Sequence, residues 1–253
     1  MEVTLQTFLI VCPFLFLAGL VDAIGGGGGL ISLPAYLIAG LPPHMAVATN
    51  KLSSSCGTTL ATARFIKNGL VDLRLAVPTA LCALLGASLG ANLSMLLDER
   101  LMLGIMLCVL PVCAFLVFQK RLFPQDAGKA FRPSRKVYII SCVCSLVIGF
   151  YDGFYGPGTG TFLIIAFTVF AKLSISSANA HAKVINLTSN LTSLAVFLLG
   201  GQVIFSIGLA GAAFNMLGAY LGAGLAMKNG AKIVRPSIAL VLFLLLLKLL
   251  DVF

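Results

Sequence analysis

The chain has 253 residues, of which 59% are hydrophobic and 10% charged, and its mean hydropathy is +1.06. Globular domains in water carry about a quarter charged residues, so a soluble particle is excluded and a polytopic membrane protein without an extramembrane domain is expected. The net charge of +9, from 17 Lys and Arg against 8 Asp and Glu, gathers in a few loops between apolar runs, as in a membrane protein oriented by cytoplasmic basic residues, and nucleic acid is not expected as a partner.

In chain order, the apolar runs fall near residues 4–24, 30–41, 44–66, 75–97, 101–118, 137–154, 158–171, 175–199, 203–227 and 233–250. Most are long enough to cross a bilayer, which takes about 20 apolar residues. The runs at 30–41 and 158–171 are short and follow Gly-rich breaks, so each is a candidate broken or re-entrant helix. Glu2 and the lack of a basic residue before the first run disfavour a cleavable signal peptide. Seven cysteines sit in apolar stretches without a C-x-x-C pattern; the odd total indicates no disulfide framework, no metal site and no cofactor, and they read as small packing residues.

The stretch 119–136, with Lys120, Arg121, Lys129, Arg132, Arg135 and Lys136, is the hydrophilic linker. It divides the chain into a first membrane repeat (1–118) and a second (137–253). Gly19-x-x-Asp22 followed by Gly25 to Gly29 matches Gly149-x-x-Asp152 followed by the Gly156 to Gly160 stretch, 130 residues on. At an offset of 132, Ala48-Thr49-Asn50-Lys51 matches Ala180-His181-Ala182-Lys183, and the Leu85 to Ala91 stretch matches Leu217 to Ala223. If both short runs cross, each half has five segments and the halves are inverted. Thirteen of fifteen loop-region basic residues then lie inside; if both re-enter, the division is ten to five. The positive-inside rule favours the first. The expected fold is therefore all-α, a membrane helical bundle of two inverted repeats, with a Gly-rich break in each half and both termini outside.

Paired Gly-interrupted segments in inverted halves point to a substrate site near the bilayer midplane. Gly26, Gly27 and Gly28 in the first break, and Gly156, Gly158 and Thr159 in the second, are candidate anion cradles, because a helix N-terminus favours negative charge; close helix packing is the competing reading. Lys51 and Lys183 lie too deep for an easy snorkel, and intramembrane ionisable residues usually mark a substrate or ion path. Two cations facing one cavity would attract an anion. Thr49, Asn50, Ser53, Ser54, Ser55 and Thr58 in one half, and His181, Asn186, Thr188, Ser189 and Asn190 in the other, are candidate oxyanion ligands, with interhelical hydrogen bonding as the plainer use. His181 is also a candidate for proton coupling. Asp22 and Asp152 precede the breaks, where they could pair with the lysines, carry a coupled proton or cap the break amides. Gly86-x-x-x-Gly90 and Gly218-x-x-x-Gly222 read as helix-packing contacts.

With G-L-V-D-A-I-G-G-G-G-G-L-I-S-L-P at 19–34, A-T-N-K at 48–51, G-F-Y-D-G-F-Y-G-P-G-T-G-T-F at 149–162 and A-x-A-K-x-x-N-x-x-x-N at 180–190, the chain resembles the sulfite exporter TauE/SafE family, also called the 4-toluene sulfonate uptake permease family. The resemblance covers essentially the whole chain. It implies a multi-pass transporter of the bacterial inner membrane that moves sulfur-containing or organic anions, such as sulfite, sulfoacetate or other sulfonates, with protons. It supports Lys51, Lys183, Asn186, Asn190 and both breaks as site residues. The leading expectation is secondary transport by alternating access rather than catalysis. An anion channel and, further back, a membrane thiol oxidoreductase using Cys142 and Cys144 are the alternatives. The expected partners are a small anionic substrate and the bilayer, with a homodimer also open.

Overall fold

The computed structural model describes residues 5–98 and 134–229, together with Leu101, Lys232 and Ile233. Apart from Leu101 and Ile233, the expected segments 101–118 and 233–250 lie outside the described residues, as does most of the linker. Within them the chain is all helix: α1 (Leu5–Gly25), α2 (Gly29–Ile38), α3 (Pro43–Lys67), α4 (Leu73–Leu96), α5 (Arg135–Phe154), α6 (Thr159–Val169), α7 (Ile175–Leu199) and α8 (Phe205–Asn229). Arg135 and Lys136, placed by composition in the linker, form the first turn of α5.

Local chemistry sets the ends. Pro43 opens α3, where a missing N–H costs nothing. Asp72, Ser134 and Ser174 cap α4, α5 and α7 by accepting from the backbone N–H groups of Arg74, Val137 and Ser177. Five helices, α1, α4, α5, α7 and α8, are long and apolar enough to cross a membrane. Helix α3 is as long as any but more polar. Its Thr49, Asn50, Lys51, Ser53, Ser55, Thr58 and Thr62 are all buried, so its polarity faces the bundle interior. The outer surface is apolar, with Leu81, Leu85 and Leu89 of α4 and Val143 and Val147 of α5 exposed. That inverts a soluble protein and suits a lipid surround.

The register of the contacts gives the helix directions. Along α8, Asn215 meets Leu15, Gly218 meets Phe16 and Gly222 meets Leu20, so α1 runs parallel to α8. Gly208 meets Thr49 and Leu52, Asn215 meets Gly57, and the Arg64 guanidinium reaches the Tyr220 carbonyl and stacks over its ring, so α3 is parallel too. Since α1 and α3 point the same way, α2 with its flanking loops must return between them. Across the halves, Ala83 of α4 meets Gly149, Ala87 meets Gly153, Asp72 meets His181 and Met95 meets Gly200. Helices α4, α5 and α7 therefore share a direction, and α6 returns between α5 and α7. Helices α3 and α7 cross antiparallel, with Thr62 on Lys183 and Lys51 on Asn190. At 10 and 11 residues, α2 and α6 reach about 15 Å, half the hydrocarbon thickness of about 30 Å, and loops complete each return.

Corresponding positions in the halves carry the same local features. Positive φ occurs at Gly26 and Gly156, Gly40 and Lys172, and Gly69 and Gly201. The Ile204 N–H donates to Thr49 Oγ1 at 3.1 Å, and the Asp72 N–H donates to His181 Nε2 at 3.2 Å; both partners are shifted by 132 residues. The expected small-residue contacts are present: Gly86 and Gly90 lie against α5, and Gly218 and Gly222 against α1.

Candidate functional site

A cavity lies where the two breaks approach the crossing of α3 and α7. Its wall contains Lys51, Asn50 and Ser54 from α3, Asn186 and Asn190 from α7, Asp22 and Asp152, and the break residues Gly26, Gly29, Gly156, Gly158, Thr159 and Gly160. Gly29 is the first residue of α2, and Thr159 and Gly160 are the first two of α6, so two helix N-termini abut the space. Both bring positive dipole ends to it. The cavity is tight, with a volume of about 20 Å³.

The backbone here is built from residues that need glycine. Gly26 has φ +81°, and a Cβ there would overlap the backbone of Gly160 and Thr161. The first break is pinned by Thr161, whose Oγ1 donates to the Gly25 carbonyl at 2.6 Å and whose N–H donates to the Gly26 carbonyl at 3.2 Å. The Asn179 amide adds a bond to the Ile24 carbonyl at 3.1 Å. At Gly156, with φ +93°, a Cβ would stand 2.7 Å from Asp152 Oδ1 and 2.9 Å from Lys51 Nζ. Gly156→Ala should therefore displace the ion pair it covers. Backbone strain of about 1–3 kcal/mol at such a site is expected to cost about 10- to 100-fold in ligand affinity, read by a binding isotherm on the folded variant.

The two deep lysines behave differently. Each lies eight residues into its helix, about 12 Å along the axis. Lys51 Nζ is 3.0 Å from Asp152 Oδ1 and donates to Asn190 Oδ1 at 3.0 Å, with both members of the pair 2% exposed. Lys183 Nζ is 3.0 Å from Asp22 Oδ2 and also donates to the Asp22 backbone carbonyl. Lys183 is 0% and Asp22 19% exposed. Each lysine thus takes the aspartate of the other half. Where the spacing predicts two cations facing one cavity, only Lys51 lines it, and both ammonium groups are already neutralised. A lone buried ion is far costlier than a paired one, and the aspartates before the breaks are the counter-ions within reach. Both aspartates also hold their own breaks, Asp22 accepting from the Gly28 N–H at 3.2 Å and Asp152 from Thr159 Oγ1 at 2.8 Å. The second Asp152 oxygen accepts from Ser189 Oγ.

Of the other predicted residues, Asn50, Asn186, Asn190, Gly26, Gly156, Gly158 and Thr159 line the cavity, whereas Gly27 and Gly28 do not. Thr49 and His181 do not line it either: they receive the loop N–H groups of Ile204 and Asp72. His181 Nδ1 lies 2.8 Å from the Ser177 carbonyl, so the tautomer with its proton on Nδ1 fits both contacts. His181→Ala is expected to lower stability by about 1 kcal/mol, as for one buried hydrogen bond, with ligand affinity unchanged, measured by thermal unfolding with and without ligand. Ser54, from the polar residues around Lys51, and Gly29 and Gly160, from the two breaks, also line the cavity, and Ser189, Thr161 and Asn179 brace it. Ser54 stands one turn from Lys51, on the same helical face; nothing local marks Thr161 and Asn179 as braces. Cys12, Cys56, Cys82, Cys142 and Cys144 are free thiols outside the cavity wall.

The family described as sulfite exporter TauE/SafE matches residues 11–249. Among curated relatives, the chain is 37% identical over 250 residues to a probable membrane transporter protein of Haemophilus influenzae, covering 98% of this chain and 96% of that one. It is 38% identical over 246 residues to one from a Sinorhizobium species, covering 97% and 92%. It is 34% identical over 257 residues to the probable membrane transporter protein YfcA of Escherichia coli K12, covering 98% and 94%. No solved structure matches.

Proposed function

The chain belongs to the sulfite exporter TauE/SafE family of membrane transporters, and on that premise we propose that it carries a small sulfur-containing or organic anion, such as sulfite, sulfoacetate or another sulfonate, across the bacterial inner membrane by proton-coupled alternating access. The observation that carries this reading is the Lys51 ammonium in the wall of a cavity faced by two helix N-termini. Around it the Asn50, Asn186 and Asn190 amides and the Ser54 and Thr159 hydroxyls can donate to oxyanion oxygens. We read the halves as an inverted repeat. Support comes from the antiparallel crossing of α3 and α7 and from the paired loop contacts at Thr49 and His181. Rocking of the halves would open the site between them to either side in turn.

The experiment is thermal unfolding of purified protein against sulfur oxyanions, carboxylates and organic cations. A ligand that binds only the folded state raises its apparent stability, by about 2.7 kcal/mol at a hundred times its dissociation constant. Stabilisation by at least one compact sulfur oxyanion, with none by cations, is expected. Stabilisation by cations alone would overturn the reading.

A further inference from the structure

Asp152 occupies the position an incoming anion needs. Its carboxylate is the counter-ion of Lys51, the one ammonium among the described residues of the cavity wall. Among the described residues, the four ionised groups at the site, Lys51, Lys183, Asp22 and Asp152, sum to zero charge, so the described wall offers an anion no unclaimed cation. If an anion displaced the carboxylate from Lys51 while Asp152 stayed ionised, a bare negative charge would be left in a group 2% exposed. Burial penalises that heavily. A proton on Asp152 removes the penalty and frees Lys51 in one step.

Resting on the reading above, we infer that Asp152 is a built-in competitor for Lys51 and the seat of the coupled proton: the anion binds Lys51 as Asp152 takes up a proton, and the two leave together. The proton passes from water to a carboxylate oxygen, the anion replaces that oxygen at the ammonium, and a monoanion crosses with no net charge. The surroundings isolate Asp152 as the group that must change. From α3 it meets Lys51, from α7 Ser189 and from the start of α6 Thr159. Helix α6 carries no charged residue, and on α4 the one charge, Arg74, is exposed at the far end. Tyr151, beside it on α5, donates to the Pro157 carbonyl. Asp22, on α1, stays with Lys183 and the Gly28 N–H, so its charge is answered whether or not an anion is bound.

The test uses the purified full chain with sulfate, methanesulfonate and sulfoacetate, whose charges stay constant between about pH 5.5 and about pH 8.5; sulfite titrates in that window and is unsuitable. Linkage to one proton makes affinity in the wild type fall by about tenfold per pH unit once Asp152 is ionised. Anion addition in weak buffer should take up one proton. Asp152→Asn should bind at alkaline pH about as tightly as the wild type at acid pH, with no pH slope and no proton uptake, while His181→Gln keeps both. Ser189→Ala, which removes one donor from the carboxylate, should carry binding about one pH unit further into the alkaline range. An Asp152→Asn protein that keeps the wild-type slope, a folded one that binds nothing at any pH, or an unmoved Ser189→Ala profile would overturn the assignment. A wild type that binds anions without pH dependence would overturn it while leaving the anion site standing. A wild type that binds none of the three would remove the site and the proton assignment together.

Discussion

Lys51→Met is expected to cut anion affinity and flux in proteoliposomes by about thirtyfold or more. Methionine keeps the length of the stem and removes the ammonium. Truncating one member of a desolvated charged contact costs about 2–5 kcal/mol, which spans some thirtyfold to several thousandfold. The variant also leaves Asp152 without its counter-ion while Thr159 and Ser189 still donate to it. An orphaned buried charge lowers stability by about 3–5 kcal/mol, less whatever protonation recovers. The double variant Lys51→Met with Asp152→Asn separates the two effects: stability should return and affinity should not. Near-normal flux in folded Lys51→Met protein would remove Lys51 from the site.

Lys183→Met should fail in a different way. Its ammonium holds both the carboxylate and the backbone carbonyl of Asp22, three residues before α1 ends. Thr62 of α3 donates to the Lys183 carbonyl from the other side. Losing the ammonium loosens the first break from α7, and stability should fall by about 3 kcal/mol. Asp22, partly exposed in the cavity wall, would then repel an anion. Adding Asp22→Asn should restore most of the affinity lost in Lys183→Met, a rescue the corresponding pair at Lys51 cannot show. Unfolding curves and isotherms on the single and double variants check both parts. Lys183→Met protein of wild-type stability would contradict the anchoring role.

Much of this was legible because lipid imposes strong patterns. The eight described helices fall on predicted apolar runs, and the two short ones follow the predicted Gly-rich breaks. The 132-residue offset that relates Lys51 to Lys183 also relates the loop contacts at Thr49 and His181. Those two residues lie outside the cavity wall. They stand two positions before the lysines, and on a helix of 3.6 residues per turn that is the opposite face. Ser54 and Asn186, three positions after their lysines, and Asn190, seven after Lys183, share the lysine face and line the cavity. The partner of each lysine was not legible, because sequence places two aspartates near two breaks without saying which ammonium each meets. The crossed pairing, and with it the difference between a lysine in the cavity wall and one sealed behind it, comes only from the packing of α1 and α5 against α3 and α7.

The most direct check is a crystal structure of the protein with selenate, whose selenium marks its own position by anomalous scattering. A peak between Gly26 and Gly156, with an oxygen about 3 Å from Lys51 Nζ and the Asp152 carboxylate turned away, is the predicted result. Selenate that is transported yet found only elsewhere in the bundle, with the Lys51 and Asp152 pair intact in every conformation captured, would contradict the account.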